Sequence, residues 1–112
     1  MSPHYIPERG DLCWLDFDPQ IGREQAGRRP ALVLSRGIYN ERSALAWVCP
    51  ITSRRKGYPF ELVLPEGLPV EGVVLVDQVR SLDYRGRKAS RIARVPAAWC
   101  AAALDLARTL LD

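Results

Sequence analysis

Asp11-Leu12-Cys13-Trp14-Leu15-Asp16-Phe17 and Ala31-Leu32-Val33-Leu34 are the two segments that decide the fold. The first is short and aromatic and lies between Gly10 and Pro19, which favours a β-strand. The second is a continuous apolar run of the length typical of a buried strand. Between them, residues 18–30 contain two prolines, two glycines and no apolar periodicity, so they predict a long loop. Loops of that length in a compact domain are usually functional or disordered.

The rest of the chain continues this alternation of short strands and turns. Residues 36–43 are polar and turn-like, and apolar segments at 44–51, 58–64 and 73–76 predict three further strands. Residues 81–84 and 89–93 are expected to form a hairpin, because Arg85-Gly86-Arg87-Lys88 supplies a turn between them. Several short strands with turn signals are typical of a small curled or barrel-like β domain.

One amphipathic helix is predicted at the end of the chain. Pro96 suits the first position of a helix, and apolar residues then recur at helical spacing with charged residues on the opposite side. The apolar positions are Cys100, Ala103, Leu104, Ala107, Leu110 and Leu111. The sequence therefore indicates a mainly β fold on which one C-terminal helix packs.

The bulk composition indicates one ordinary globular domain spanning residues 1–112. Hydrophobic residues make up 47% of the chain and charged residues 26%, which is a usual balance for such a domain. No apolar run approaches the length that spans a bilayer, and the first residues lack the pattern of a signal peptide. We therefore expect a cytoplasmic protein with no membrane segment.

Positive charge is concentrated in one segment. The formal net charge is +3, and residues 82–94 contain five basic residues against Asp83 alone. A local basic stretch suits a polyanion such as a nucleic acid, because cations that replace condensed counterions on phosphates release those ions. A solvated arginine-rich strand would have the same composition, so charge alone leaves both interpretations open.

The chain offers few residues for metal or histidine chemistry. Cys13, Cys49 and Cys100 are widely spaced in apolar surroundings, which is typical of buried free thiols. There is a single histidine, whereas zinc sites need clustered ligands. Asp16 and Asp18 would share one face of a strand, yet no third acid follows closely. We therefore expect no bound metal and no cofactor.

The loop before the second buried strand carries the most reactive set of side chains. Glu24 lies there among three arginines, which are Arg23, Arg28 and Arg29. A carboxylate held near guanidinium groups could act as a base while the cations stabilise charge on a phosphate transition state. A polar surface loop with internal ion pairs would contain the same residues, so residue types alone leave both interpretations open.

A second basic loop and several aromatic residues add weaker signals. Thr52-Ser53-Arg54-Arg55-Lys56 would suit a phosphate, although such residues are ordinary in loops. Bases of a single strand could stack on nearby rings, but we expect most of these rings in the core, and Tyr84, beside Arg85, is the ring we place most readily at the surface. The rings are Trp14, Tyr39, Trp47, Tyr58, Phe60 and Tyr84.

Several segments, taken in order, closely resemble toxins of the MazF/PemK family. The similar segments are residues 10–19 and 22–35, Tyr39-Asn40, Pro50-Ile51-Thr52, residues 56–61 and Asp77-Gln78-Val79-Arg80-Ser81. They cover most of the chain, from about residue 5 to the final helix. An ordered set of this kind is far more specific than a lone glycine-rich loop.

The resemblance implies a fold, an activity and partners. The fold would be a small SH3-like β barrel of the MazF/PemK/CcdB type with a C-terminal helix, forming a homodimer. The activity would be that of a type II toxin that cleaves single-stranded RNA, often mRNA, without a metal. The ribose 2′-hydroxyl would attack the phosphate and leave a 2′,3′-cyclic phosphate and a 5′-hydroxyl. A MazE-type antitoxin would form a hetero-oligomer with the toxin and lay an acidic C-terminal segment over the RNA groove.

The resemblance also implies which residues carry the reaction. The family's loop arginine falls on Arg29, its strand-end threonine on Thr52, and a loop glutamate, the expected proton acceptor, on Glu24. RNA contacts are expected from the basic and polar residues Arg28, Ser53, Arg54, Arg55, Lys56, Asp77, Gln78, Arg80, Arg85 and Arg87. Residues 64–73 and 85–91 match the family only loosely, and RNA sequence preference could be set there.

Two other functions are compatible with the same sequence. The same barrel occurs in a toxin class that poisons DNA gyrase without nuclease activity, so fold alone does not assign function. A non-catalytic barrel that binds nucleic acid or peptide would bind without cutting. The loop at residues 22–30 together with Thr52 favours the nuclease.

Overall fold

The computed structural model describes residues 4–18 and 22–112. Within them, the strands and α-helices follow one another along the chain as β1 (Asp11–Asp16), β2 (Arg28–Val33), α1 (Gly37–Ser43), β3 (Ala46–Thr52), β4 (Glu61–Val63), β5 (Val73–Leu75), β6 (Arg80–Leu82), β7 (Ser90–Arg94) and α2 (Ala97–Arg108). Short 3₁₀ helices follow β5 at Val76–Gln78 and α2 at Thr109–Leu111. Neither α-helix has the length and apolar content that crossing a bilayer requires, as far as the described residues go.

The strands form one antiparallel sheet in the order β4-β5-β3-β2-β1-β7, and β6 also pairs with β3. β2 lies at the centre, so Leu32 is opposite both Leu12 of β1 and Cys49 of β3. β4 and β7 end this order without pairing with each other, which leaves the barrel open. The mainly β class with a C-terminal helix is confirmed.

The sheet buries both of its faces. Successive residues of a strand point to opposite sides, so Leu12 and Leu32 join a core that packs against α2, whereas Cys13 and Val33 join a second core. Burial on both faces explains why the β2 segment is a continuous apolar run. The expected burial of the free thiols is confirmed, and that burial raises the pKa of Cys13 and of Cys49 to about 12.

Residues 36–43, which the sequence predicts to be a turn, contain helix α1. Its buried residue is Asn40, whose side-chain amide donates to Pro7 O at 2.7 Å and Ser35 O at 3.2 Å. Ile38 and Tyr39 are exposed, so no inward apolar stripe marks the helix in the sequence. The turn prediction is wrong because a polar residue does the packing.

The expected hairpin at 81–93 is also wrong, because β6 pairs with β3 and β7 pairs with β1. The turn at residues 83–88 connects these two places in the sheet. Tyr84, predicted at the surface, is buried, and its hydroxyl donates to Asn40 O at 3.0 Å. A tyrosine can be buried when its hydroxyl finds an acceptor, and here it anchors the turn to the core.

Two predictions about apolar side chains are wrong in part. Trp14, Tyr39 and Trp47 are exposed rather than in the core. The apolar stripe of the last helix is also shorter than expected, because α2 ends at Arg108 and the following 3₁₀ helix turns its side chains outward. Leu111 is consequently 91% exposed.

The boundaries of two strands differ most from the sequence prediction. β2 begins at Arg28 rather than Ala31 and contains Pro30. Arg28 and Arg29 therefore belong to a strand rather than to the loop. The strand expected at 58–64 is limited to β4, because Glu61 N donates to Tyr58 O and closes a turn before it.

Candidate active site

The antiparallel register brings Arg29 and Thr52 together. Ala31 of β2 is opposite Pro50 of β3, and moving two residues outward along each strand places Arg29 opposite Thr52. Because side chains alternate along a strand, both point to the face that Ala31 occupies. The two residues line one cavity of about 630 Å³. The two residues that the family resemblance singles out therefore line the same cavity.

Arg29 is oriented by backbone carbonyls. Its Nε donates to Ala26 O at 2.8 Å and its Nη1 to Ile51 O at 3.5 Å. A guanidinium has five N–H donors in a planar fork. These two bonds therefore hold the fork in place while leaving donors for a ligand in the cavity.

Thr52 is buried at the end of β3, and its hydroxyl accepts a hydrogen bond from Arg54 N at 3.1 Å. A hydroxyl that accepts one bond still carries a proton to donate. Gly72 lies against the Thr52 carbonyl, since a Cβ at Gly72 would be 2.4 Å from Thr52 O. This close approach packs the end of β5 against the position of Thr52.

The cavity is positively charged overall. Its lining residues are Arg23, Gln25, Arg29, Thr52, Ser53, Arg54, Lys56, Tyr58, Glu61, Leu75, Asp77 and Gln78. Four cations and two carboxylates give a net charge of +2, which suits a phosphodiester. The Glu61 carboxylate binds the basic loop, because it accepts hydrogen bonds from Lys56 N and Gly57 N at 2.7–3.0 Å.

Tyr58 and Asp77 form the polar wall of the cavity. The Tyr58 hydroxyl donates to Asp77 Oδ1 at 2.5 Å. Partial burial, the hydrogen bond and the negative charge of Asp77 together raise the pKa of Tyr58 to about 12. Tyr58 therefore stays protonated at neutral pH and acts as a donor. Next to it, Gln78 Oε1 accepts from Gln25 N at 3.2 Å and ties the loop to the 3₁₀ helix after β5.

Glu24 lies in a neighbouring pocket of about 210 Å³ rather than in the cavity of Arg29 and Thr52. Its carboxylate is 3.9 Å from Arg80 Nη1. Gln25, Asp77 and Gln78 line both pockets and form the wall between them. Glu24 thus borders the cavity without lining it, and shared wall residues separate it from Arg29 and Thr52, with which it is expected to act.

The structure separates Arg28, Arg85 and Arg87 from the cavity. Arg28 pairs with Asp16 at 3.1 Å, Arg87 donates to Asp16 O and Asp18 O, and Arg85 lies beside Tyr84 on the 83–88 turn. Arg55 is exposed in the basic loop and is absent from the cavity lining. Of the expected RNA contacts, Ser53, Arg54, Lys56, Asp77 and Gln78 line the cavity, and Arg80 lines the Glu24 pocket.

The two aspartates considered as metal ligands have other partners. Asp16 binds Arg28, and Asp18 Oδ1 accepts from Gly27 N at 3.0 Å. Among residues 4–18 and 22–112, no cluster of three His, Cys, Asp or Glu side chains has a geometry suited to a metal ion.

Three polar residues of the cavity, Gln25, Tyr58 and Glu61, were not predicted from the sequence to take part in the site. Tyr58 was the most detectable of them, since a tyrosine after a basic loop has a polar end that needs a partner when it is partly buried. That partner, Asp77, lies on a different strand connection, so the pair needs the fold.

The sequence is similar to that of a known family of toxins. The family model of PemK-like, MazF-like toxins of type II toxin–antitoxin systems matches residues 8–110. The endoribonuclease toxin MazF of Escherichia coli K12 is 50% identical over 91 residues, covering 81% of this chain and 81% of the relative. ChpB, an endoribonuclease toxin of the same strain, is 46% identical over 91 residues, with 76% of this chain and 77% of ChpB covered.

Solved structures agree with this match. MazF from Deinococcus radiodurans superimposes with a TM-score of 0.92 at 53% identity, over 96% of this chain and 98% of that one. The MazE–MazF complex of the same organism gives a TM-score of 0.84 at 48% identity, over 96% and 97% of the chains. The chain therefore belongs to the family of PemK-like, MazF-like toxins of type II toxin–antitoxin systems.

Proposed function

We propose that this chain is an endoribonuclease toxin that cuts single-stranded RNA in the cavity of Arg29 and Thr52. The observation that carries the proposal is the cross-strand juxtaposition of these two donors in a cavity of net charge +2. A guanidinium fork matches the oxygens of a phosphate, and the buried hydroxyl beside it supplies a second, differently placed donor. The relatives named above are themselves endoribonucleases.

The proposed reaction is attack of the ribose 2′-oxygen on the adjacent phosphorus. The O2′–P bond forms and the P–O5′ bond breaks, so the products are a 2′,3′-cyclic phosphate and a 5′-hydroxyl. The 2′-hydroxyl gives up a proton and the departing 5′-oxygen takes one up. Arg29 and Thr52 donate hydrogen bonds to the non-bridging oxygens, where negative charge increases in the transition state.

We propose two carboxylates as candidates to accept the proton of the 2′-hydroxyl. Glu24 is the residue expected from the family, and it faces the pocket next to the cavity. Asp77 borders both spaces and is oriented by Tyr58. We assign Glu24 as the base, with Asp77 as the alternative that the geometry supports. Glu24→Gln and Asp77→Asn each replace a carboxylate by an amide of nearly the same shape. The residue whose substitution lowers kcat more is the base.

The RNA strand is proposed to follow the cationic surface beside the cavity. Ser53, Arg54 and Lys56 line it, Arg55 lies exposed on the same loop, and Gln78 and Arg80 extend it towards the Glu24 pocket. Phosphate contacts of this kind make the RNA affinity fall as the salt concentration rises. In a plot of the logarithm of the binding constant against the logarithm of the salt concentration, each contact to a single strand adds about 0.7 to the steepness of the slope.

A MazE-type antitoxin is the proposed regulator, acting through an acidic C-terminal segment over the same surface in a hetero-oligomer. The MazE–MazF complex from Deinococcus radiodurans, which aligns over 96% of this chain, supports that assignment. A homodimer is proposed as well, supported by the exposed apolar side chains around α1, which are Ile38, Tyr39, Leu45 and Trp47. We further propose that residues 1–112 act as one domain in the cytoplasm.

The test is incubation of the purified protein with total RNA, with and without a chelator. The proposal predicts discrete cleavage that the chelator does not reduce, because Arg29 and Thr52 supply the charge stabilisation. Arg29→Ala should lose about 10²–10³ in rate, whereas Arg108→Ala, which removes an exposed cation at the end of α2, should retain kcat. Binding of RNA without strand scission would favour the non-catalytic barrel, and inhibition of gyrase without RNA cleavage would favour the gyrase poison.

A further inference from the structure

We propose that Arg87 is a positioning residue that fastens the loop between β1 and β2, and that it does not contact RNA phosphate. The expectation that follows from the family resemblance counts Arg87 among the RNA contacts, and the proposal reverses that role. The loop carries Glu24 and Gln25, which line the two pockets. Only the expected effect of Arg87 on cleavage therefore rests on the proposed function.

Arg87 holds the first end of the loop by three hydrogen bonds. Its Nη1 donates to Asp16 O at 3.1 Å and to Asp18 O at 2.8 Å. Its own carbonyl accepts from Asp16 N at 3.0 Å. The side chain and the backbone of Arg87 therefore both bind the backbone of residues 16–18, where the chain leaves β1.

The second end of the loop is fastened to the same turn. Arg28 Nη2 donates to Lys88 O at 2.8 Å while its Nη1 pairs with Asp16. The two ends are also joined directly, since Phe17 N donates to Gly27 O at 2.9 Å and Gly27 N to Asp18 Oδ1 at 3.0 Å. The described part of the loop thus begins and ends in one hydrogen-bonded clamp.

The turn that carries Arg87 is itself rigid. Gly86 N donates to Asp83 Oδ1 at 3.0 Å, and Arg87 N donates to Asp83 O at 3.0 Å. Ala89 N donates to Tyr84 O at 2.9 Å, and the buried Tyr84 connects the turn to α1. A platform fixed to the core can hold the loop ends in one position, and small displacements of catalytic groups are costly in rate.

Arg85 is the matched control. It is exposed on the same turn, and its guanidinium makes no hydrogen bond or ion pair with the residues that the structure describes. Arg85→Lys and Arg87→Lys retain the charge of the turn and remove a planar fork. The two variants differ only in whether that fork held the loop.

The test combines amide hydrogen exchange with RNA kinetics. In Arg87→Lys, the amides of Phe17 and Gly27 should exchange about tenfold faster or more, because they sit inside the clamp, while Leu34, bonded to Trp47 O in the sheet, should be unchanged. Cleavage should lose about tenfold to 10²-fold in kcat with KM nearly constant. Arg85→Lys should match the wild type in all of these measurements.

The salt dependence of RNA binding separates a clamp from a phosphate contact. If Arg87 only clamps the loop, Arg87→Gln leaves the slope of log binding constant against log salt concentration unchanged. If Arg87 contacts a phosphate, the same substitution makes that slope shallower by about 0.7. Three results would each overturn the proposal. The first is a shallower salt dependence of RNA binding in Arg87→Gln. The others are unchanged amide protection of Phe17 and Gly27 in Arg87→Lys, or a loss of protection there that extends to Leu34. If the wild-type protein cut no RNA, the proposed function would fall, and hydrogen exchange would still decide the clamp.

Discussion

Gly72 contacts no proposed substrate, yet replacing it with alanine should impair the reaction through Thr52. The backbone of Gly72 has φ +133°, and a Cβ there would lie 2.4 Å from Thr52 O and 3.1 Å from Thr52 C. Neither atom belongs to a flexible side chain. Val73, the next residue, is paired with Thr52 in the sheet, so the strain must be relieved by moving one of the two backbones.

The size of the effect follows from the contact distance. Real Cβ contacts essentially never fall below 3.0 Å, so relief requires a displacement of about 0.6 Å. Since a misplacement of about 1 Å can cost 10²-fold in rate, we expect Gly72→Ala to lose on the order of tenfold in kcat. The strained φ should add a loss of about 1–3 kcal/mol in the free energy of unfolding.

Gly67→Ala separates these two consequences. Gly67 lies in the same connection between β4 and β5 with φ +87°, but a Cβ there would meet nothing within 4 Å. Both variants should lose stability in urea unfolding, and only Gly72→Ala should lose kcat at a temperature where both are folded. Equal kcat for the two variants would refute the claim that Gly72 positions Thr52.

Three further outcomes are expected. Burial raises the pKa of the Cys13 and Cys49 thiols from 9.0 to about 12, so the folded protein holds protons that the unfolded chain releases. The free energy of unfolding should therefore be highest below pH 9 and fall between pH 9 and 12 by up to about 1.4 kcal/mol per pH unit per thiol; Cys49→Ala should flatten the urea-measured slope, and an unchanged slope would contradict this. Asn40→Ala should cost about 1–3 kcal/mol in urea unfolding, because it leaves the buried Pro7 carbonyl without its donor, and a loss below about 0.5 kcal/mol would show that water replaces the amide. An acidic antitoxin peptide and an uncleavable RNA analogue should compete for the cavity of net charge +2, and an antitoxin affinity that saturating RNA leaves unchanged would place the two sites apart.

The strands were more predictable than the helix that precedes β3. β1 and the buried part of β2 carry their signal locally, since apolar residues between turn-forming residues are sufficient to favour a strand. α1 has no such signal, because its inward-facing residue is Asn40 and its bonds reach Pro7 and Ser35. Tyr84 was misplaced for the same reason, since its acceptor is the Asn40 carbonyl on a distant segment.

The sequence predicted part of the cavity lining, including Arg29, Thr52 and Arg54, but not the geometry of the cavity. Residue chemistry alone left the arginine loop undecided between a site and a solvated surface, and it was the resemblance to a family that singled out Arg29 and Thr52. Their place in one cavity depends on the β2–β3 register, which no local sequence pattern contains. The resemblance likewise counts Arg28 and Arg87 as RNA contacts, whereas the fold gives them carbonyl and carboxylate partners near the end of β1 and on the 83–88 turn.

The central claim is that Arg29 and Thr52 promote attack by the RNA's own 2′-hydroxyl. The most direct measurement uses an RNA that the protein cuts at one mapped position and the same RNA with a single 2′-deoxy sugar on the 5′ side of that phosphate. The deoxy substrate lacks the nucleophile, so it should bind with nearly unchanged affinity and stay intact, while the parent RNA yields a 2′,3′-cyclic phosphate. Cleavage of the deoxy substrate at the mapped phosphate would contradict the account.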